Sequence, residues 1–442
     1  MFLLIACGDN GSTGDDDGGS LLDELHVQSL ATIAPDGIYG VSVAALDDHR
    51  LAVARVDRSG DAFCPDCIDL DPAQCPALCE RSQISVSVLD GGTFDAARPV
   101  ATVFPASFDH SVDQVEVVSL GDERVGVAWL DCDNSRCLGM FAKRSCTARY
   151  AALDLTTGAA GSAQTLYEGW FGDLSLAFEP STHSVLALVA KDLAFGSGIF
   201  RAIFDDTGAV VRSPWAPVGS TAARSPVILA TGGELLIVAD DWSPEAPPLA
   251  SPCRESCDCL SSGSIDLATG GLFAYHVGNG ADRAERIASG VDDRGFYGRR
   301  EEIAVIDAAG RPMVATTQSI DRFAEIFTFD GSSWNREHSS AAPIPLWIGA
   351  LGTADRLAWL GAEPESGASA TVQRLVAGVV EGDTSERGTF TDAVDRNVFT
   401  AVPIATPAGV TSTVLLQGLF RRDGDTLTWD HYELIRIDAE WR

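Results

Sequence analysis

Leu51-Ala-Val-Ala-Arg-Val-Asp57 is a short apolar stretch closed by a carboxylate, and six relatives of it follow down the chain. They are Val125-Gly-Val-Ala-Trp-Leu-Asp131, Leu186-Ala-Leu-Val-Ala-Lys-Asp192, Leu235-Leu-Ile-Val-Ala-Asp-Asp241, Met313-Val-Ala-Thr-Thr-Gln-Ser319, Leu357-Ala-Trp-Leu-Gly-Ala-Glu363 and Val414-Leu-Leu-Gln-Gly-Leu-Phe420. Their first residues stand 74, 61, 49, 78, 44 and 57 positions apart. A run this short, apolar on both faces, reads as a strand sandwiched between neighbours rather than one half exposed to water. Its return at fairly even spacing marks a repeat, in which each unit buries its apolar faces against the next.

Working outward, each copy follows another apolar run, so the pair reads as a hairpin. Val41 to Leu46 turns through Asp47-Asp48-His49-Arg50 into the first copy, and Val115 to Leu120 turns through Gly121-Asp122-Glu123 into the second. The later partners are 174–178, 227–230, 303–306, 347–351 and 399–404. A second hairpin follows each copy and turns at Asp/Gly clusters, where tight turns want left-handed residues: Asp90-Gly91-Gly92, residues 154–158, 205–208 and 266–270, and Asp330-Gly331. The sixth copy continues near 371–380, and the last reaches 432–437 before the sequence stops short of a fourth strand. Leu25-His-Val-Gln-Ser-Leu30 is the free strand able to cover that edge, which unpaired would be a liability. The expectation is an all-β chain: a seven-bladed β-propeller of four-stranded antiparallel blades, closed by its N-terminal strand, as a single domain over 21–442.

At 442 residues the chain exceeds the usual size of one core, but every added blade brings its own core, so one domain suffices. No window sustains a helical apolar stripe. The formal charge is −32, from 63 acidic residues against 31 basic ones, and Lys143 and Lys191 are the only lysines. Such a surface repels phosphate backbones, which excludes nucleic acid as a partner and permits solubility and attraction of cations.

Leu4-Ile5-Ala6-Cys7 resembles a bacterial lipobox, the motif at which a signal peptide is cut and the following cysteine lipidated. The resemblance implies Cys7 as the lipidated residue, with 1–7 a truncated signal. Residues 8–20 (GDNGSTGDDDGGS) have nothing apolar to bury and read as a flexible tether spanning on the order of 20 Å. Gly8 after the cysteine, by the same resemblance, favours the outer membrane. The turns at 154–158 and 266–270 resemble the Leu-Asp-x-x-Thr-Gly hairpins of quinoprotein-type propellers and of the propeller lipoprotein of outer-membrane barrel assembly.

Ten further cysteines fall between second and third strands: Cys64, Cys67, Cys75 and Cys79; Cys132, Cys137 and Cys146; Cys253, Cys257 and Cys259. An even total in an exported chain reads as disulfides. Two of the three loops hold three cysteines each, so complete pairing requires a bridge leaving each, and a disulfide-tied cap over one face is expected. The rival reading, four thiolates for zinc at Cys64, Cys67, Cys75 and Cys79, lacks a spaced histidine partner. Five copies end in an acid, Asp57, Asp131, Asp192, Asp241 and Glu363, which a ring would bring to the cysteine-bearing face. With Asp66, Asp69, Asp71 and Asp133 they could hold calcium; the plainer reading is that each bonds turn amides. No other cofactor is expected.

No Walker loop, Gly-x-Ser-x-Gly elbow or His-Glu-x-x-His pair occurs. Phe329-Asp-Gly-Ser-Ser-Trp334 half resembles the Asp-box of sialidases and reads as a hairpin turn with a packed tryptophan. No catalytic residue is assigned. The function expected is a non-catalytic, lipid-anchored, monomeric binding or scaffold module of the cell envelope, recognising a protein or glycan through its capped face. The alternatives are a carbohydrate-active hydrolase or lyase and an outer-membrane assembly factor.

Overall fold

The computed structural model describes residues 25–33, 40–59, 81–103, 110–133, 145–170, 173–190, 199–207, 209, 216–219, 223–231, 234–241, 269–277, 283–290, 300–308, 311–318, 323–343, 346–352, 357–365, 372–381, 384–389, 391, 393–406, 409–424 and 426–439. Those residues are all-β. Strand β1 (Leu25–Ile33) is followed by five sheets in sequence order, each built by antiparallel neighbours. The first holds β2 (Val41–Ala45), β3 (Arg50–Ser59), β4 (Arg81–Asp90), β5 (Thr93–Phe94) and β6 (Arg98–Val103); β5 and β6 both pair β4. The second holds β7 (His110–Gly121), β8 (Arg124–Asp133), β9 (Ser145–Asp154) and β10 (Gln164–Trp170). Next come β11 (Asp173–Glu179), β12 (Ser184–Ala190), β13 (Ile199–Asp205) and β14 (Ala216–Val218), then β15 (Ala223–Thr231), β16 (Glu234–Asp241), β17 (Gly271–Val277) and β18 (Arg283–Ser289). The fifth holds β19 (Arg300–Ala308), β20 (Arg311–Gln318), β21 (Phe323–Phe329) and β22 (Trp334–Pro343).

An eight-stranded sheet follows. It contains β23 (Leu346–Gly352), β24 (Leu357–Pro364), β25 (Val372–Glu381) and β26 (Thr384–Thr389) as one succession, and β27 (Val394–Thr406), β28 (Gly409–Asp423) and β29 (Thr426–Ala439) as another. The two are joined by Gly352 opposite Val410 and by Val372 and Gln373 opposite Asp395 and Val394. Strand β1 lies against β29, Leu25 opposite Ala439 and Ile33 opposite Tyr432.

Side-chain alternation explains the packing. In β3, Ala52, Ala54 and Val56 join a core shared with the second sheet, while Leu51 and Val53 join one shared with Ile404, Val414, Leu416 and Leu434 of the last strands. In β8, Val125, Val127 and Trp129 face the first sheet, and Ala128, Leu130 and Cys132 face Leu174, Ala202 and Phe204 of the third. In β16, Leu235, Ile237 and Ala239 face the third sheet, and Leu236 and Val238 face Val314 and Phe327 of the fifth. With a period of two, each residue of these middle strands is buried against one neighbour or the other, which is why the repeat carries no polar face. β13 and β17 are buried along almost their whole length, whereas the outer β18 is mostly exposed. First strands neighbour one another in order, β2–β7–β11–β15–β19–β23–β27, and β27 also neighbours β2. Radially stacked antiparallel sheets with their first strands together form a β-propeller architecture.

Each of the seven repeats falls in the second strand of its succession: β3, β8, β12, β16, β20, β24 and β28. One assignment is corrected. The fourth third-strand is β17 (Gly271–Val277), so the turn expected within 266–270 precedes that strand instead of following it. Thr269 and Gly270 belong to the connection between β16 and β17, and the likeness to the turn at 154–158 ends there. The other turns are as expected. The Asp154 carboxylate accepts from the Thr157 amide at 2.8 Å, and Asp330 accepts from the amides of Ser332 and Ser333. Trp334 packs on Phe329 with ring centroids 5.3 Å apart.

Candidate functional site

An antiparallel meander puts connections from second to third strands at one end of the sheets, here the loop end, and first-to-second and third-to-fourth turns at the other, the turn end. At the loop end, β8 and β9 finish with Cys132 directly opposite Cys146. They form a disulfide across the base of the second cysteine-bearing loop, with both residues buried. Cys137 lies outside the described residues, as do Cys7, Cys64, Cys67, Cys75, Cys79, Cys253, Cys257 and Cys259. The bridge therefore staples one hairpin.

Three of these acids, Asp57, Asp131 and Asp241, meet side chains of their own sheets. Arg55 Nε lies 2.9 Å from Asp57 Oδ1, and Ser85 Oγ donates to Asp57 Oδ2 at 2.6 Å. Arg149 Nε lies 3.6 Å from Asp131. Asp241, fully buried, accepts from Tyr275 Oη at 2.7 Å. Burial, first, and the Asp241 charge beside it push the Tyr275 phenol well above the usual tyrosine range. Glu363 stands opposite Arg374, which pairs with Glu365. Asp192 lies outside the described residues, as do Asp66, Asp69 and Asp71. Strands β3 and β8 run two residues past Asp57 and Asp131, which sets these carboxylates within their strands. Among the described residues, no three His, Cys, Asp or Glu side chains gather closely enough to hold a metal ion. A carboxylate bonded to arginine is a poor ligand for calcium, because the guanidinium occupies the lone pairs and neutralises the charge the cation needs.

Two polar threads were not anticipated from the sequence. In the first, Ser42 Oγ donates to Glu116 at 3.1 Å and accepts from the Val117 amide, while Gln114 donates to Glu116 and to the Leu174 carbonyl and accepts from the Leu174 amide. Three consecutive first strands, β2, β7 and β11, are thus joined by side chains. The second crosses the last succession from its first strand to its outermost. Arg396 donates to Gln417, Gln417 donates to Glu433 at 2.8 Å, and Ser29 of β1 donates to Glu433 at 2.7 Å. The only local signal for either is a polar residue interrupting an apolar run, such as Gln417 in 414–420.

At the turn end, ion pairs clasp neighbouring sheets. Arg50 reaches Asp47 in its own turn and Glu123 in the next sheet's turn, the latter at 2.6 Å. Arg124 binds Asp206 at 2.7 Å, and Arg436 donates to the Asp48 carbonyl. The Arg50 guanidinium holds Glu123 below the usual carboxylate range. Asp47 is partly desolvated, yet the His49 amide and Arg50 hold it below that range too.

No family model matches the chain, and no curated protein matches it. Among solved structures it is similar to the β-propeller domain of the Trilobed protease from Pyrococcus furiosus, at 10% identity and a TM-score of 0.41, over 88% of this chain and 97% of that one. It is also similar to a subtype N10 neuraminidase-like protein of a little yellow-shouldered bat influenza A virus, at 8% identity and a TM-score of 0.41, over 94% and 99%. TolB from Acinetobacter baumannii matches at 11% identity and a TM-score of 0.34, over 79% and 65%. The propeller assignment rests on the strand pairing rather than on these likenesses. No helix among the described residues is long and apolar enough to cross a membrane.

Proposed function

We propose that the chain is an exported, lipid-anchored binding module of the cell envelope, a seven-bladed ring latched by β1 that recognises a protein or glycan through its loop end. The observation that carries the reading is the Cys132–Cys146 disulfide at the base of a loop, since disulfides persist in oxidising compartments and a stapled loop loses less entropy on binding. Ring closure is supported by the pairing of β1 with β29, by the neighbouring of β27 with β2, and by the core that Ile404, Val414 and Leu434 share with Val43, Leu51 and Leu89. Leu25 stands at the turn end beside Ala439, so a tether preceding it leaves the disc on the side away from the cysteine-bearing loops. Lipidation at Cys7 then turns those loops away from the membrane.

The test is a cross-linking pull-down from the organism's envelope fraction, comparing the unaltered chain with Cys132→Ser/Cys146→Ser and with Glu123→Gln at the turn end. The reading expects one or a few proteins recovered by the unaltered chain and the Glu123→Gln variant but lost with the double serine variant. Recovery indifferent to the staple would move the binding surface off the loop end. Recovery of no protein, with no retention on envelope glycans, would overturn the binding module.

A further inference from the structure

The connection from β28 to β29 joins a second strand to a third, so it stands at the loop end, and here the strands themselves run out to it. β27 follows β28 as far as Arg396 opposite Leu419, and β1 follows β29 as far as Ile33 opposite Tyr432. Beyond both registers β28 and β29 continue as a two-stranded ribbon. Phe420 stands opposite Trp429, Arg421 opposite Thr428, Arg422 opposite Leu427 and Asp423 opposite Thr426. Four such pairs make a ribbon about 13 Å long.

Its own side chains brace it. The Phe420 and Trp429 rings meet edge to face at 5.0 Å, and Trp429 meets Tyr432 at 4.5 Å. Arg422 donates from two nitrogens to the two oxygens of Asp395 in β27, and Arg421 lies 3.2 Å from Asp430. Both arginines thus already hold a carboxylate, which disfavours an anionic ligand. Cross-strand partners share a face, so Phe420, Arg422, Leu427 and Trp429 lie on one side and Arg421, Asp423, Thr426 and Thr428 on the other. Thr426 and Thr428 are exposed, while Leu427 and Trp429 are half-buried.

Two strands alone are marginal in water, and a third with an apolar face makes such a ribbon stable. The edge of β29 that takes β1 up to Tyr432 carries on from His431 to Thr426, where no strand among the described residues lies beside it. A strand edge captures an extended chain through its backbone groups, and the side chains of its two faces select the sequence. We propose that the edge at 426–431 takes an extended segment of a protein partner as an added strand, continuing the lane that β1 occupies. Apolar side chains of that segment lie over Leu427 and Trp429 and alternate with polar ones over Thr426 and Thr428. The proposal rests on the loop end being the binding end, and it makes the ligand there a polypeptide.

The test pans phage-displayed random dodecapeptides on the full chain and repeats the binding with Leu427→Lys, which sets a charge at the tip of the ribbon. Selected peptides are expected to alternate apolar and polar residues and to lose affinity about tenfold or more on the variant. Deuterium uptake of the unaltered chain with bound peptide is expected to slow at 426–431. Peptides that instead protect another loop-end segment would overturn the added strand and leave the binding module standing. So would a protein partner, recovered from the envelope, that binds Leu427→Lys as well as the unaltered chain. No selected peptide, together with no recovered protein, would overturn both. A dimer of the unaltered chain that Leu427→Lys dissolves would give the edge to a second copy and overturn the partner segment.

Discussion

Glycine and aromatic side chains settle several close approaches between strands. A Cβ added at Gly378 would fall 2.1 Å from Trp359 Cε2, the residue directly opposite it across β24 and β25. The indole covers the bare backbone of a partner that has no side chain of its own. Gly126 does the same for Tyr150, whose ring also stacks on Phe204 at 6.3 Å. Gly378→Ala is expected to cost about 1–3 kcal/mol by overpacking, read as a lowered denaturation midpoint with an unchanged slope. Burial pushes the phenols of Tyr150 and Tyr275 above the ordinary tyrosine range. The unfolded chain therefore loses these protons first, and stability should fall as pH rises above about 10. Phenolate absorbance rising only together with unfolding checks this, while early ionisation without unfolding would count against it. At this scale the sequence was informative about apolar positions, because the period of two is local. It was silent on partners: Ser29 and Glu433 are bonded across 404 positions, a contact set by the fold.

At the scale of elements, strand identity was legible and the turn chemistry nearly so. Asp154 and Asp330 cap their hairpins as Asp/Gly clusters predict, but the same local signal at 266–270 serves a different connection. An Asp-x-x-Thr-Gly turn carries no mark of which two strands it joins, so the fourth third-strand was placed one element too early. The side-chain partners of the strand-end carboxylates were hidden for a related reason, since Arg149 and Tyr275 come from the following strand and their aim depends on register. Two predictions belong here. Glu433→Ala removes the acceptor shared by Gln417 and Ser29 and is expected to cost about 1–3 kcal/mol in chemical denaturation. The lowered carboxylates of Asp47, Glu123 and Asp330 contribute stability that is present above the unfolded range near pH 4 and is lost as pH falls through their lower folded values. Acid unfolding of Arg50→Gln is accordingly expected at a higher pH than that of the unaltered chain, and an unchanged midpoint would show the clasp to be idle.

For the whole molecule, the account turns on how the last strands meet the first. A row of sheets with two free ends would expose unpaired edges and an apolar face, and the core that Val43 and Leu51 share with Val414 and Leu434 supports the proposed ring instead. The proposed ring is a disc with a stapled loop end for a partner and a tethered end for the membrane. The most direct measurement is the melting curve of the chain lacking residues 21–34 beside that of the intact chain. Removing β1 uncovers β29 and deprives Glu433 of Ser29, so the account predicts a sharp fall in melting temperature or loss of the cooperative transition. An unchanged curve would contradict the latched ring.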